Sequence, residues 1–403
     1  MPLYTYRVKN ESGRIFTGEA RVDKEADLTA MLLERGYTPV EIKERNALTD
    51  ITQIKIFQKR VKVKDLAVFC RQFSIVLEAG VPISVSLEVL KEQTVNPTLK
   101  RCITDVSDDI KKGISLSSSM RKHSDIFPEI LVNMVESGEI SGQLDRVFIR
   151  MADHFEKEFK LNQKIKGAMI YPIIVLSVAV IVVIILMTFV VPTFSKTLLS
   201  MDVEMPLNTR ILMAISNFFV SFWWLILAVI IGLVLFLRSY AKSDPGKRLL
   251  GKLAIKLPVL KHVTRNVMTA RFTRTLGTLT ASGVLLIQAM EIVQKVLGNA
   301  IIAEKLDDVI GEIKRGRGLT QPLSGVKYFP PMVISMVRIG EESGDLDFAL
   351  GKCADFYDEE VETSVQQLTA FIEPLIIIFL AVIVGFVVLS VLYPMLTIYQ
   401  NIE

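Results

Sequence analysis

Gly138-Glu139-Ile140-Ser141-Gly142-Gln143-Leu144-Asp145 returns later in the chain as Gly340-Glu341-Glu342-Ser343-Gly344-Asp345-Leu346-Asp347. Working outward from these segments, the second half of the chain repeats the first at an offset of about 202 or 203 residues. Phe69-Cys70-Arg71 aligns with Phe272-Thr273-Arg274, and Ala79-Gly80-Val81 with Ser282-Gly283-Val284. Leu87-Glu88-Val89 meets Met290-Glu291-Ile292, Lys112-Gly113 meets Arg315-Gly316, and Phe127-Pro128 meets Phe329-Pro330. Pro172 and Pro192 bracket an apolar run, and Pro374 and Pro394 bracket its counterpart at the same spacing. Each repeat is therefore a soluble domain followed by a membrane span.

The hydropathy supports that division. The chain has 403 residues and is 50% hydrophobic, too apolar for an ordinary soluble protein and too charged to lie wholly in lipid. Tyr171 to Val191, Ile211 to Leu237 and Pro374 to Ile398 carry no charged residue. Each run is long enough to cross a hydrocarbon core of about 30 Å as a helix. Lysine and arginine placement orients the spans. Lys157, Lys160, Lys164 and Lys166 precede the first, and Arg238, Lys242, Lys247, Arg248, Lys252, Lys256 and Lys261 follow the second. The intervening stretch balances Lys196 and Arg210 against Asp202 and Glu204. The positive-inside rule then predicts a cytosolic amino terminus, an external loop between spans one and two, and an external carboxyl terminus. The repeat independently requires an even number of crossings between its two copies, which the first two spans supply. Such parallel repeats differ from the inverted repeats of many transporters.

Within the soluble parts, Leu66, Phe69, Cys70, Phe73, Ile75 and Leu77 recur at helical spacing, and glycines at 80 and 283 fall where one helix should end and the next begin. The expected fold class is mainly α: an integral membrane protein with two repeated cytosolic helical bundles, three transmembrane helices and a small amino-terminal α+β module. The expected order is the module over 1–50, a linker over 51–64, the first bundle over 65–167, and a span over 168–192. An external loop over 193–210, a span over 211–237 and a basic cytosolic connection over 238–267 follow. The second bundle then occupies 268–369, the third span 370–398, and an external tail 399–403. In the module, Tyr4 to Val8 and Ile15 to Ala20 read as strands around a turn at residues 10–13, and Glu25 to Arg35 as a helix. No apolar leader precedes Tyr4, so insertion is expected to use the internal spans.

Chemistry-bearing motifs are scarce. Cys70, Cys102 and Cys353 show neither disulfide nor zinc spacing, and reduced thiols are expected. No G-x-x-x-x-G-K-[ST] loop, H-E-x-x-H pair or G-x-S-x-G elbow occurs, and His123, His154 and His262 read as surface positions. Neither an enzyme nor a bound cofactor is expected. The net charge of +4 implies no nucleic-acid partner. The duplicated G-E-x-S-G-x-L-D segment has two readings. One is a tight corner between antiparallel helices, with glycines at the break, Ser141 or Ser343 able to cap, and a carboxylate near a helix amino terminus. The other is an acidic docking corner presenting Glu139, Asp145, Glu341 and Asp347, with Glu136, Glu139 and Asp145 as weak candidates for a divalent cation. Glu373, at the edge of the third span, is either a solvated snorkelling acid or a functional one.

These residues together resemble the bacterial GspF/PilC family, the polytopic platform proteins of type II secretion systems and type IV pili. The resemblance rests on the Tyr4-x-Tyr6 module, the duplicated F-x-R, [AS]-G-V, F-P and G-E-x-S-G-x-L-D segments, and a span after each domain. It implies a plasma-membrane platform, in the inner membrane of a cell that has two, coupling a cytosolic assembly or retraction ATPase to insertion or extraction of pilins or pseudopilins. It also implies homo-oligomers and contact with other inner-membrane assembly proteins. Leu285 stands where the first copy has Pro82, and Pro322 has no counterpart, so the copies need not bind the same partner. The competing class is a small-molecule transporter, disfavoured because the central parts of the spans carry no charges.

Overall fold

The computed structural model describes residues 3–9, 15–22, 25–34, 36–45, 60–193 and 207–400. The turn at 10–13, the linker up to residue 59, the greater part of the loop over 193–210 and the last three residues lie outside them. At the amino terminus, β1 (Leu3–Lys9) pairs antiparallel with both β2 (Ile15–Arg21) and β3 (Thr38–Arg45), giving the order β2-β1-β3. Helix α1 (Glu25–Glu34) covers the sheet, burying Leu28 and Leu32 against Tyr4 and Val8. Strand β3 has no counterpart in the sequence reading. Its Pro39 and charge-rich pattern suit an edge strand and hide its periodicity.

The first repeat comprises α2 (Val63–Glu78), α3 (Ile83–Gln93), α4 (Pro97–Lys111), α5 (Leu116–Arg121), α6 (Glu129–Ser141) and α7 (Leu144–Ala168). Met169 separates α7 from α8 (Ile170–Ile185), which continues in a π turn over Leu186–Val190. Then come α9 (Leu207–Lys242), α10 (Asp244–Lys256), α11 (Pro258–Thr280) and α12 (Leu286–Val296). The chain closes with α13 (Ala300–Lys314), α14 (Thr320–Ser324), α15 (Pro331–Ser343) and α16 (Leu346–Gln400). Helices α11 to α16 repeat α2 to α7 in order. The basic connection is itself helical, through the end of α9, α10 and the start of α11.

The repeats share their local physics. Asn96 accepts from the Thr98 N–H at 3.0 Å and starts α4, and Asn299 accepts from the Ile301 N–H at 3.0 Å and starts α13. Glu88 pairs with Lys111 at 2.5 Å, and Glu291 with Lys314 at 2.8 Å. Lys111, then Ser107 and Lys91, hold the Glu88 carboxyl down at about 2. Phe69 meets Phe127 in one core as Phe272 meets Phe329 in the other. These cores are not separate: the buried apolar cluster runs without a break from the first bundle into the second.

Three helical stretches are long and apolar enough to cross a membrane, within Leu144–Thr193, Arg210–Lys242 and Leu346–Ser390. None of the apolar window of the second is covered by protein, as a lipid-facing helix requires. The π turn changes the backbone spacing, and the Met187 carbonyl accepts from the buried Ser216 hydroxyl at 2.5 Å. Helix α9 kinks at Phe222, where the backbone leaves helical angles. Helix α16 has no such break. Its 55 residues run from the second bundle through the third span, a length of about 80 Å.

Candidate functional site

The repeated corner explains the residue types in its motif. Gly138 is buried, and a Cβ there would come within 2.9 Å of Val147 Cγ2. A Cβ on Gly340 would lie 2.8 Å from the Leu346 Cα. The first glycine of each copy thus lets α6 approach α7, and α15 approach α16. The second glycine closes the helix in the left-handed region, with φ of 70° at Gly142 and 74° at Gly344. Ser141 and Ser343 do not cap the following helices, contrary to the sequence reading. Their hydroxyls donate back to the Ser137 and Ile339 carbonyls, because each still lies within the last turn of its helix.

The glutamates turn inward. Glu139 accepts from the Leu116 N–H at 2.5 Å and the Ser117 N–H at 3.2 Å, and also from the Ser117 hydroxyl. Glu341 accepts from the Leu319 N–H at 2.7 Å, the Thr320 N–H at 3.0 Å and the Thr320 hydroxyl at 2.6 Å. Each carboxylate therefore caps the start of a short helix, α5 or α14, whose first N–H groups have no intrahelical acceptor. Burial pushes the Glu341 carboxyl up, but the Thr320 and Leu319 hydrogen bonds outweigh it and leave it below its ordinary value. Asp145 and Asp347 stand in the first turns of α7 and α16. The expectation that all four acids project for docking is thus revised for Glu139 and Glu341, whose oxygens already serve N–H groups of the same chain.

The weak cation candidates are not gathered into one cluster. Glu136 pairs with Arg121 at 2.6 Å, Glu139 is committed to α5, and no group of three His, Cys, Asp or Glu side chains among the described residues could hold a metal. Cys70, Cys102 and Cys353 are buried, and burial pushes the Cys102 and Cys353 thiols up to about 11, which makes them inert packing residues.

Sequence reasoning missed the face between the repeats. The Ser137 hydroxyl donates to the Ser282 carbonyl at 2.9 Å, and Arg150 donates to the Ala281 carbonyl and, at 2.9 Å, to the Ser282 hydroxyl. Gln288 donates to Asn133 at 2.9 Å, Lys295 pairs with Glu129 at 2.7 Å, and Lys157 with Asp355 at 2.6 Å. His154, expected at the surface, is buried here. Burial, then the positive field of Arg274, holds its pKa at about 3 and the ring neutral. Arg274 itself pairs with Asp358, as Arg71 pairs with Glu156 in the first repeat. At the start of the spans, the Tyr171 hydroxyl donates to Glu373 Oε1 at 3.2 Å, so this acid has a partner within the chain.

The profile described as Type II secretion system (T2SS), protein F matches residues 69–192 and again 272–394, once per repeat. The profile described as Type II secretion system protein F, N-terminal domain matches residues 1–43. Among curated proteins, the Type IV pilus assembly protein PilC of Thermus thermophilus is 39% identical, with 100% of each chain covered. The PilC of Myxococcus xanthus is 32% identical over 99% of this chain and 96% of its own. The Type II secretion system protein F of Aeromonas hydrophila is 33% identical over 93% of this chain and 97% of its own.

Proposed function

The chain belongs to the type II secretion system protein F family, and from that premise we propose that it is a non-catalytic membrane platform of a type IV pilus or type II secretion machine. It couples a separate cytosolic assembly ATPase to the insertion or extraction of pilin-like subunits. The observation that carries this reading is α16, one helix from the second bundle through the third span. An unbroken helix transmits rotation or translation of the bundle into the bilayer without a joint that could absorb it. The chain has no P-loop, so the work must come from elsewhere. The bundles and the amino terminus face the cytosol and the carboxyl terminus faces outward, an orientation that the Lys and Arg distribution supports.

The motor is proposed to dock on the glycine-closed corners, with Asp145 and Asp347 as the contacting acids and Glu139 and Glu341 holding the corners in shape from within. The purified chain is expected not to hydrolyse ATP and to co-purify with a separate cytosolic assembly ATPase. Asp145→Arg and Asp347→Arg are expected to slow association and change its salt dependence while membrane abundance stays constant. Unchanged motor affinity in both variants would remove the corners from the reading. A reporter fused after Glu403 that is active in the cytosol would overturn the topology.

A further inference from the structure

Helix α10 lies outside both repeats, directly after the second span, and leaves an apolar stripe in the open. At about 100° per residue, Gly251, Ala254 and Ile255 share one face of this helix, and Leu249, Leu250, Leu253 and Leu257 share the opposite one. The first face packs inward. Gly251 is buried, its carbonyl accepts from the Asn299 side chain at 3.2 Å ahead of α13, and Ile255 touches the bundle core. The four leucines opposite are each 43% to 48% exposed. A leucine stripe left open on a helix rich in cations is the pattern of a helix that lies in a membrane interface.

Cations flank that stripe. Arg248, Lys252 and Lys256 recur every four residues along one border, and Lys247 stands on the other. Between Arg238 and Lys261 there are seven Lys or Arg residues and one acid, Asp244. Lys247 pairs with Asp244 at 3.6 Å and Arg248 with Glu304 at 3.9 Å, both in exposed positions, and among the described residues Lys252 and Lys256 form no ion pair. Past the helix, Lys261, Arg265 and Lys327 line a cavity of about 100 Å³ whose walls carry no carboxylate. The partner that suits this surface is therefore apolar and anionic at once.

Position supplies the occupant. Helix α9 presents an apolar window uncovered by protein and ends at Lys242, and α10 begins after Ser243 alone. The chain turns tightly there: the Ser243 hydroxyl accepts from the Gly246 N–H at 3.3 Å, and a Cβ on Gly246 would lie 1.8 Å from the Tyr240 carbonyl oxygen. The start of α10 is thus held against the end of a lipid-facing helix. We infer that α10 lies on the bilayer surface, with its leucines among the acyl chains and its lysines on the phosphates of anionic phospholipids. Lysines at the border of an apolar stripe reach headgroups while their stems stay in contact with lipid. The inference rests on α9 spanning the bilayer and not on the ATPase reading, so failure of either leaves the other standing.

The full chain in lipid nanodiscs tests it. Cys70, Cys102 and Cys353 are buried, so an environment-sensitive dye on Leu253→Cys reports that site alone. In phosphatidylcholine nanodiscs containing phosphatidylglycerol, this dye is expected to emit further to the blue, to resist acrylamide and to be quenched by brominated acyl chains. A dye on Val95→Cys, 91% exposed on the first bundle, should be quenched freely by acrylamide and spared by brominated lipid. Lys252→Gln in the Leu253-labelled chain should lower the ratio of lipid-shielded to acrylamide-accessible dye about fivefold. Omitting phosphatidylglycerol should lower it at least as far. Acrylamide quenching at Leu253 equal to that at Val95 would overturn the inference. So would shielding without quenching by brominated lipid, which would mean that protein covers the stripe, or lipid quenching indifferent to both phosphatidylglycerol and Lys252→Gln.

Discussion

Tyr171 and Glu373 occupy the same position in the two repeats, and they touch each other, the phenol donating to the carboxylate at 3.2 Å. Equivalent residues can meet only near the axis that relates their copies, so the first and third spans start side by side, as do α7 and α16 just ahead of them, where Lys157 meets Asp355. The acid is thereby tethered at the membrane edge. A double-mutant cycle with Tyr171→Phe and Glu373→Gln, read by thermal unfolding in detergent, is expected to give a small favourable coupling. A coupling indistinguishable from zero would leave the contact without energetic weight.

The inward turn of Glu139 and Glu341 predicts loss of stability on their removal. Glu139→Ala and Glu341→Ala each strip three hydrogen bonds from the start of a short helix and should each cost about 1–2 kcal/mol. For Glu341 the folded carboxyl is depressed, so its contribution is present above the ordinary glutamate range near 4.3 and is lost as pH falls through the lower folded value. Thermal midpoints of Glu341→Gln and the parent, compared at pH 7 and pH 4, should converge on acidification. A constant gap would mean that charge plays no part in the cap.

The spans, the duplicated helical order and the glycine corners follow from sequence because each depends on a local signal: an uncharged run, a 3.6-residue periodicity, a glycine at a left-handed position. What the corner does with its glutamate does not, because the groups it caps lie 22 or 23 residues upstream. The face between repeats is hidden for the same reason: Arg150 meets Ala281 across 131 residues. The repeat alignment does contain a usable trace. Where copies keep a bundle in common but differ in polarity at one face, as His154 and Phe356 or Thr278 and Ile75 do, the two faces have different neighbours.

Burial of His154 predicts acid sensitivity. Its folded pKa of about 3 lies below the ordinary value of 6.5, so the unfolded chain takes up a proton that the folded chain refuses as pH falls between them. Stability is then lost on acidification through that window, by about 2 kcal/mol at pH 5 from this group alone. Glu158, 3.9 Å away, favours the charged ring but does not offset burial and Arg274. His154→Phe, which installs the residue of the second repeat, should flatten the dependence between pH 7 and pH 5. An unchanged slope of unfolding free energy against pH would show that the ring is accessible to protons in the folded state.

The continuity of α16 allows the coupling itself to be tested apart from docking. Gln366 and Gln367 are exposed and lie between the bundle core, which ends at Val365, and the apolar run that begins after Glu373. Gln367→Pro removes one backbone donor, clashes with the preceding turn and costs a helix interior about 3 kcal/mol or more, which in a helix of this length produces a kink rather than unfolding. Bundle and span should each survive, because the core residues and the apolar window are untouched. Membrane abundance and motor binding are therefore expected to hold while fibre assembly or secretion falls, since a hinge lets the bundle move without the span. Gln367→Ala at the same site keeps the helix straight and should leave assembly intact. Full assembly by the proline variant would mean that force reaches the membrane by another route, through α8 or α9, and the rigid-helix coupling would have to be abandoned.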